Sequence, residues 1–139
     1  MNILITSCGR RTKLIEYFKN EFNGKGNVVV TDCDNLAPAL YFADKFYITS
    51  RIDNQNYINE LLEICKKEKI KGIMSLIDPE LSLLAKNSEK FEEIGVKIIG
   101  SNYEATELCF DKYEFFKFLS EFGFKCAKTY ISLDKFKDD

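Results

Sequence analysis

The stretch NILITSCGRRTKLIEYF, residues 2–18, decides the fold of this chain. Its first five residues are mostly apolar and predict a short buried strand, and apolar residues from Leu14 onward recur at helical spacing. Between them lies a loop with one glycine and two arginines, residues 7–11. A strand that runs through such a loop into the N-terminus of a helix offers backbone N–H and guanidinium groups to an anion. The stretch therefore predicts an α/β fold and a candidate anion site.

The same order of strand and helix recurs along the chain. Further strands are predicted at residues 28–30, 45–49, 72–76 and 96–99, and helices follow most of them. Strands rich in Val and Ile, without clean alternation, are typical of a parallel sheet covered on both faces. We therefore predict a Rossmann-like, doubly wound α/β domain over residues 1–110. Ligands of such domains bind at the carboxyl ends of the strands, where the strand order reverses, so three loops matter: residues 7–11, 32–34 and 77–80.

Helix-start signals divide the chain further. Each is a side chain that can accept a hydrogen bond from the first turn of a helix. The predicted caps are Asp53 or Asn54, Asp78 before Pro79, Ser101 with Glu104, and Asp111 with Glu114. The last of them opens a helix rich in phenylalanine that ends at Gly123, and a strand at residues 129–132 and a helix from Asp134 are predicted after it.

Composition excludes several classes of protein. The 139 residues suffice for one ordinary domain but not for two complete ones. The net charge of −2 lacks the basic excess of nucleic-acid-binding proteins, and no segment reaches the ~18 apolar residues of a membrane span. We therefore expect neither nucleic acid nor membrane as a partner. Because no basic leader precedes a long apolar stretch, we expect the chain in the cytoplasm.

Cysteine and histidine usage narrows the chemistry. The five cysteines contain no CxxC pair, so neither a disulfide framework nor a zinc site is indicated. The chain has no histidine, which removes Ser–His and Cys–His nucleophile systems and imidazole metal ligands. Carboxylates, lysines, arginines and backbone groups are therefore left for any chemistry.

The chemistry of the first two loops leaves alternatives open. Gly9 and Arg10 suit an anion, yet the dinucleotide fingerprint G-x-G-x-x-G needs three glycines, so Gly9 could simply make a turn beside solvated arginines. Asp32 stands where dinucleotide enzymes keep an acid for the ribose hydroxyls, or it caps the next turn together with Asp34. Cys8 lies where a helix dipole could lower a thiol pKa, or it is a small residue in a tight loop.

Asp78, Glu80 and Lys112 also have two interpretations each. Asp78 and Glu80 could face a substrate amine or a metal ion, although acids in the first turn of a helix are common because they complement the helix dipole. Lys112 follows a capping aspartate, and it is either an exposed lysine at a helix start or a phosphate ligand. Local spacing does not decide between these interpretations.

Five segments of the chain form a specific series: MNILITSCGRR, TDCDNLAPALYFADKFYI, IDNQNYINELLEICKKEKI, LIDPEL and LCFDKYEFFKFLSEFGF. In this order they resemble the N-terminal part of ATP-grasp ligases, and most of all proteins similar to the large subunit of carbamoyl-phosphate synthase. The resemblance covers essentially the whole chain. It implies that residues 1–110 are the Rossmann-like domain that precedes the ATP-grasp fold. Residues 111–139 would be the first helix and strand of that fold, truncated here.

The resemblance also implies an activity and a site. In such ligases ATP phosphorylates a carboxylate to an acyl phosphate, which an amine or another nucleophile attacks, and magnesium neutralises the phosphates. By correspondence with the family, Lys112 contacts the ATP phosphates. Gly9, Arg10, Asp78 and Glu80 would line the side of the cleft that holds the acceptor substrate, a small carboxylate or amine.

The family's other ATP-binding and magnesium-binding residues lie beyond the position of Asp139, so the resemblance implies no catalytic residue and no metal ligand in this sequence. The resemblance therefore implies a fragment of a ligase that forms carbon–nitrogen bonds, inactive alone and without a tightly bound cofactor. Its expected partner is the missing C-terminal ATP-grasp domain, on the same gene or a separate chain. The rival interpretation is a stand-alone nucleotide-binding or regulatory Rossmann-like module, and a third is an interaction domain without a small ligand. The acceptor and the oligomeric state, a homodimer included, stay open.

Overall fold

The computed structural model describes residues 1–137, which form five strands and seven α-helices. The strands are β1 Asn2–Thr6, β2 Val28–Asp32, β3 Lys45–Ile48, β4 Ile70–Ser75 and β5 Lys97–Ile98. The helices are α1 Thr12–Phe22, α2 Tyr57–Lys67, α3 Asp78–Lys86, α4 Ser88–Glu93, α5 Tyr103–Phe110, α6 Lys112–Glu121 and α7 Leu133–Lys137. A short 3-10 helix, Pro38–Phe42, lies between β2 and β3. No helix among these residues combines the length and the apolar character needed to cross a bilayer.

The five strands form one parallel sheet in the order β3-β2-β1-β4-β5. The predicted α/β class with a parallel sheet is therefore confirmed. The chain builds outward from β1 to β3 and then crosses back, so that β4 pairs with the free side of β1. The strand order reverses between β1 and β4, and the loops after these two strands leave the same end of the sheet side by side.

Alternation along β1 divides the core between the two faces of the sheet. Ile3 and Ile5 point to one face, where they pack in a cluster with Ile15 of α1. Leu4 points to the other face and packs in a cluster with Tyr57 of α2 and with residues of α3 and α4. All five side chains are at most 2% exposed. A shift of one residue would exchange the two sets of side chains, so this burial on both faces fixes the register of β1.

The chain divides into two compact units, Met1–Gly100 and the residues from Ser101 onward. The first unit contains the whole sheet and α1 to α4, and the second contains α5, α6 and α7. None of these last three helices has a buried residue. The proposed domain boundary at residue 110 stays a prediction. Residues 138 and 139 of the predicted second segment lie outside the described residues.

One helix cap agrees with the sequence in part. Asp111 caps α6, because its Oδ1 accepts the N–H groups of Tyr113 and Glu114 at 2.9 and 3.0 Å. The predicted reciprocal bond from the Glu114 side chain does not form, since the Asp111 N–H donates to the Glu107 carbonyl. The Glu114 carboxylate instead pairs with Lys117 at 2.6 Å.

Three predicted caps are wrong. Asn56, not Asp53 or Asn54, precedes α2; Asn54 instead accepts the N–H of Asn56 at 2.8 Å in the turn before the helix. Asn102, not Ser101, caps α5, and its Oδ1 accepts the Ala105 N–H at 2.9 Å. Helix α3 begins at Asp78 itself, without a side-chain cap. In each case a capping side chain was available, but the backbone entered the helix one to three residues away from the expected position.

The predicted strand at residues 129–132 does not form. Residues 124–130 have no regular secondary structure, and α7 begins at Leu133. A strand requires a neighbouring strand to pair with its N–H and C=O groups, and the described residues of the second unit provide none. The β-branched residues give this segment a propensity to form a strand, but among the described residues of this unit it has no strand to pair with.

Candidate functional site

The candidate site lies where the loops after β1 and β4 leave the sheet side by side. Arg11 connects the two loops, because its Nη2 donates to the Leu76 carbonyl at 2.9 Å and its Nη1 to the Ser7 carbonyl at 3.4 Å. Arg11 remains exposed. Of the two arginines in the first loop, Arg11 is therefore the one that donates hydrogen bonds to carbonyl groups of the protein.

The backbone of the first loop binds a carboxylate of the protein. Gly9 has a φ of +53°, which a residue without Cβ adopts freely, and it makes the turn. Its N–H donates to Oδ2 of Asp32 at 2.8 Å. The N–H that the sequence offered to an external anion is therefore occupied by the Asp32 carboxylate, whose negative charge opposes a second anion there. This geometry disfavours a dinucleotide at the first loop.

Asp32 and Asp34 cap the turn after β2. Oδ1 of Asp32 accepts the N–H of Asp34 at 3.0 Å, and Oδ1 of Asp34 accepts the N–H of Leu36 at 2.9 Å. Short acids that bind the backbone two residues on are typical of such turns. Of the two interpretations that the sequence left open, the contacts of both residues fit the turn.

Cys8 is a buried thiol in the same loop. Its side chain is 0% exposed. Burial, and secondarily the charge of Asp32, raise the pKa of Cys8 to about 12. A thiol with so high a pKa is protonated near neutral pH and is a poor nucleophile, so Cys8 is a small core residue rather than a reactive group.

Two of the predicted substrate-binding residues face solvent. Arg10 is exposed, and its guanidinium makes no hydrogen bond or ion pair with the residues that the structure describes. Asp78 is exposed as the first residue of α3, directly after the loop that Arg11 contacts. One basic and one acidic side chain thus stand at the two loops of the switch point.

The resemblance implied that Glu80 lines the substrate side of the cleft, but its side chain points into the protein. It is 0% exposed, and its carboxylate accepts the hydroxyl groups of Tyr57, at Oε1, and of Ser75, at Oε2 and 2.6 Å. Helix α3 places Asp78 and Glu80 two residues apart, on different sides of its first turn, so one acid points outward and the other into the protein. The expected direct contact between Glu80 and a substrate is therefore wrong. Glu80 is buried and supports the site from within the protein.

Sequence reasoning missed Tyr57 and Ser75. Tyr57 begins the apolar stripe of α2, and Ser75 lies within the predicted strand at residues 72–76. Burial, and secondarily the charge of Glu80, raise the pKa of Tyr57 well above its usual range. A buried tyrosine nearly always finds a hydrogen-bond partner, so its place at the start of an apolar stripe is the signal that could have drawn attention to it.

Lys112 lies in the second unit. It is the first residue of α6, it is exposed, and it lines a largely apolar pocket of about 410 Å³ together with Phe115, Phe116 and Leu119. Its ammonium is available to a phosphate, whereas the first N–H groups of the helix are used by Asp111. Within residues 1–137, no three Asp, Glu or Cys side chains are arranged to hold a metal ion.

Comparisons with known proteins agree with this architecture. The model of the family described as "PylC-like, N-terminal domain" matches residues 3–99. The carbamoyl phosphate synthase large chain of Clostridium acetobutylicum is 29% identical over 106 residues, which are 76% of this chain and 9% of that protein. The resemblance to ATP-grasp ligases of the carbamoyl-phosphate synthase type is thereby confirmed.

Solved structures share the fold. N5-carboxyaminoimidazole ribonucleotide synthetase from Thermotoga maritima has a TM-score of 0.67 at 19% identity, over 99% of this chain and 35% of that one. N5-carboxyaminoimidazole synthetase from Staphylococcus aureus, solved with ADP, has a TM-score of 0.64 at 21% identity, over 91% of this chain and 31% of that one. The present chain therefore spans about a third of these structures and 9% of the curated relative.

Proposed function

Since the chain belongs to the PylC-like N-terminal domain family, we propose that it is the N-terminal, substrate-side domain of an ATP-grasp ligase similar to the large subunit of carbamoyl-phosphate synthase. When bound to the complete enzyme, ATP and magnesium supply the phosphoryl transfer that turns a carboxylate into an acyl phosphate, which an amine then attacks. The role of the present residues is to bind and orient the acceptor substrate. The 139 residues alone are inactive in this proposal.

The observation that carries the proposal is the pairing of the loops after β1 and β4 at the switch point. Ligands of doubly wound sheets bind there. Arg10 supplies an unpaired guanidinium for an anionic group of the acceptor, and Asp78 supplies a carboxylate for an amine. Gly9 makes the turn that brings Arg10 to this position, while Glu80 supports the loops from within the protein.

ATP belongs to a different part of the complete enzyme in this proposal. Lys112 is the one described residue to which we assign an ATP contact, through the phosphates. The rest of the nucleotide site would come from an ATP-grasp domain, in the same gene or on a separate chain. The coverage of relatives supports this, and so does the apolar surface of the second unit, where four phenylalanines are 49–63% exposed: Phe110, Phe122, Phe124 and Phe136.

Steady-state kinetics of the complete ligase test the substrate-side assignment. Arg10→Ala should raise the KM for the acceptor about tenfold to hundredfold, the usual value of a hydrogen bond to a charged group, and leave the KM for ATP near its wild-type value. The matched control is Lys25→Ala, which removes an exposed charge at the opposite end of the sheet. Equal effects of Arg10→Ala on both KM values would contradict this assignment and indicate that the first loop is only a turn.

Calorimetry on the 139-residue chain tests the division of the nucleotide site. We expect magnesium–ATP to bind with a Kd above about 1 mM, because a single phosphate contact contributes little of the affinity of a complete site. Lys112→Ala should weaken this binding further. Tight binding of NAD, with a Kd below about 10 μM, would contradict the ligase assignment and favour the stand-alone nucleotide-binding module.

A further inference from the structure

A buried series of hydrogen bonds lies between the two loops of the candidate site. The hydroxyl of Ser7, in the loop after β1, lies beside the Tyr57 oxygen and lowers the pKa of Tyr57. Tyr57 donates to Oε1 of Glu80, and the Ser75 hydroxyl donates to Oε2 at 2.6 Å. The Ser75 oxygen in turn accepts the N–H of Ile77, in the loop after β4, at 3.2 Å. A hydrogen-bond network therefore runs from Tyr57 to the loop after β4, and its Tyr57 end lies beside Ser7 of the loop after β1. Arg11 joins the two loops directly, through the Ser7 and Leu76 carbonyls.

The central members of this network are closed to solvent. Glu80 is 0% exposed, Tyr57 2% and Ser75 6%. Buried polar groups are tolerated only when they are hydrogen-bonded, and here the tyrosine hydroxyl and both carboxylate oxygens have partners. Apolar side chains of similar volume would fill the same space without that requirement. Packing alone therefore does not account for a tyrosine and a glutamate at these positions.

The backbone of Ser7 is a second, independent observation. Its φ of +47° lies in the left-handed region, which a residue with a Cβ seldom adopts. Such a conformation persists when its surroundings hold it, and such residues cluster at functional sites. Ser7 has a neighbour on two sides: its hydroxyl lies beside Tyr57, and its carbonyl accepts a hydrogen bond from Arg11 at 3.4 Å. Because Gly9 and Arg10 follow closely, the conformation of Ser7 sets the direction of the loop that carries them.

We propose that Tyr57 is a positioning residue that holds the loops after β1 and β4 in one relative arrangement, through its hydrogen bond to Glu80 and its contact with the Ser7 hydroxyl. The inference rests on the proposed function only for the assignment of these loops to the acceptor substrate. Tyr57 does not touch the substrate. It acts on Arg10 through Ser7, and on Asp78 through Glu80 in the same turn of α3.

Native-state hydrogen exchange on the 139-residue chain tests the positioning without any ligand. Tyr57→Phe keeps the ring and removes the hydroxyl, so the N–H groups of Gly9 and Arg11 should exchange about tenfold faster relative to that of Leu4 in β1. The matched control is Tyr17→Phe, since Tyr17 is 66% exposed, and it should change neither loop nor core. A loss of protection shared equally by loop and core, or an unchanged loop, would overturn the proposal.

Variants of the neighbouring residues keep the test decisive if Tyr57→Phe does not fold. Ser7→Ala removes the hydroxyl at the first-loop end of the network, and it should accelerate exchange at Gly9 more than at Leu4. Glu80→Gln retains an acceptor for Tyr57 and should preserve loop protection, whereas Glu80→Leu should lose it. Equal loop protection in Glu80→Gln and Glu80→Leu would contradict a positioning role for the hydrogen bonds.

Kinetics of the complete ligase separate this inference from the proposed function. Tyr57→Phe should raise the KM for the acceptor severalfold and leave the KM for ATP unchanged. Faster loop exchange with an unchanged acceptor KM would contradict the assignment of the loops to the acceptor, while the positioning of the loops by Tyr57 would stand. Unchanged loop exchange would overturn the positioning, whatever the kinetics.

Discussion

At the scale of single residues, Glu68 shows how a nearly buried acid keeps its charge. Its side chain is 6% exposed and accepts the Lys45 ammonium at 2.7 Å and the Tyr47 hydroxyl. These hydrogen bonds, that of Lys45 first, lower the pKa of Glu68 below its usual value. The carboxylate thereby connects the end of α2 with β3, at the end of the sheet opposite to the candidate site.

Glu68→Gln should destabilise the chain at neutral pH by about 1–3 kcal/mol, the usual value of hydrogen bonds to a charged group. The depressed pKa stabilises the fold above the unfolded-state pKa of about 4.3, and this stabilisation is lost as the pH falls through the folded-state pKa. Urea unfolding at pH 7 and pH 3 should therefore show a large difference between wild type and variant at pH 7 and a smaller one at pH 3.

The control for this variant is Glu63→Gln on the same helix. Glu63 is 73% exposed and pairs with Lys66 on the surface, at 2.9 Å. Exposed pairs of this kind contribute little to stability. If Glu68→Gln and Glu63→Gln had the same effect at pH 7, or if the effect of Glu68→Gln did not shrink at pH 3, the charged state of Glu68 would not be what stabilises the fold.

At the scale of secondary-structure elements, α6 depends on one cap. Asp111→Ala removes the acceptor of the Tyr113 and Glu114 N–H groups, so these two amides should exchange with solvent about fivefold faster. Asp111→Asn keeps a capping oxygen and should leave their exchange near the wild-type rate. Hydrogen exchange followed by NMR measures both variants. Equal acceleration in the two would show that the charge of Asp111, rather than the hydrogen bonds, stabilises the first turn.

The caps also show where sequence reasoning loses accuracy. The existence of α2, α3, α5 and α6 follows from helix-start signals in the sequence. Their first residues do not always follow, because more than one Asn, Asp or Ser residue precedes α2 and α5 and the backbone dihedral angles choose among them. Asn102 rather than Ser101 caps α5 for this reason. The strand expected at residues 129–132 failed for a different reason, since strand propensity cannot supply a neighbouring strand.

At the scale of the whole molecule, the parallel sheet could be predicted from the sequence. The directions and contacts of the side chains at the site could be predicted only in part. Strand-helix succession and apolar strands indicate the class, and the rule of the switch point then selects the loops. The inward direction of Glu80 could not be predicted, because it depends on which side of α3 meets the hydroxyl of Tyr57 across the core. The capture of the Gly9 N–H by Asp32 likewise joins residues from two strands, a tertiary contact that local spacing does not reveal.

Two cysteines are buried in different elements of the fold, and their burial determines when they react with a thiol reagent. Cys8 lies in the first loop and Cys65 within α2, and burial raises the pKa of each to about 12. Cys33 and Cys109 are exposed. A thiol reagent should therefore modify Cys33 and Cys109 first and the partly exposed Cys126 after them. It should reach Cys8 and Cys65 only when their surroundings open. Cys8 reports the opening of a loop and Cys65 the opening of a helix, so the chain carries its own chemical reporters of both events.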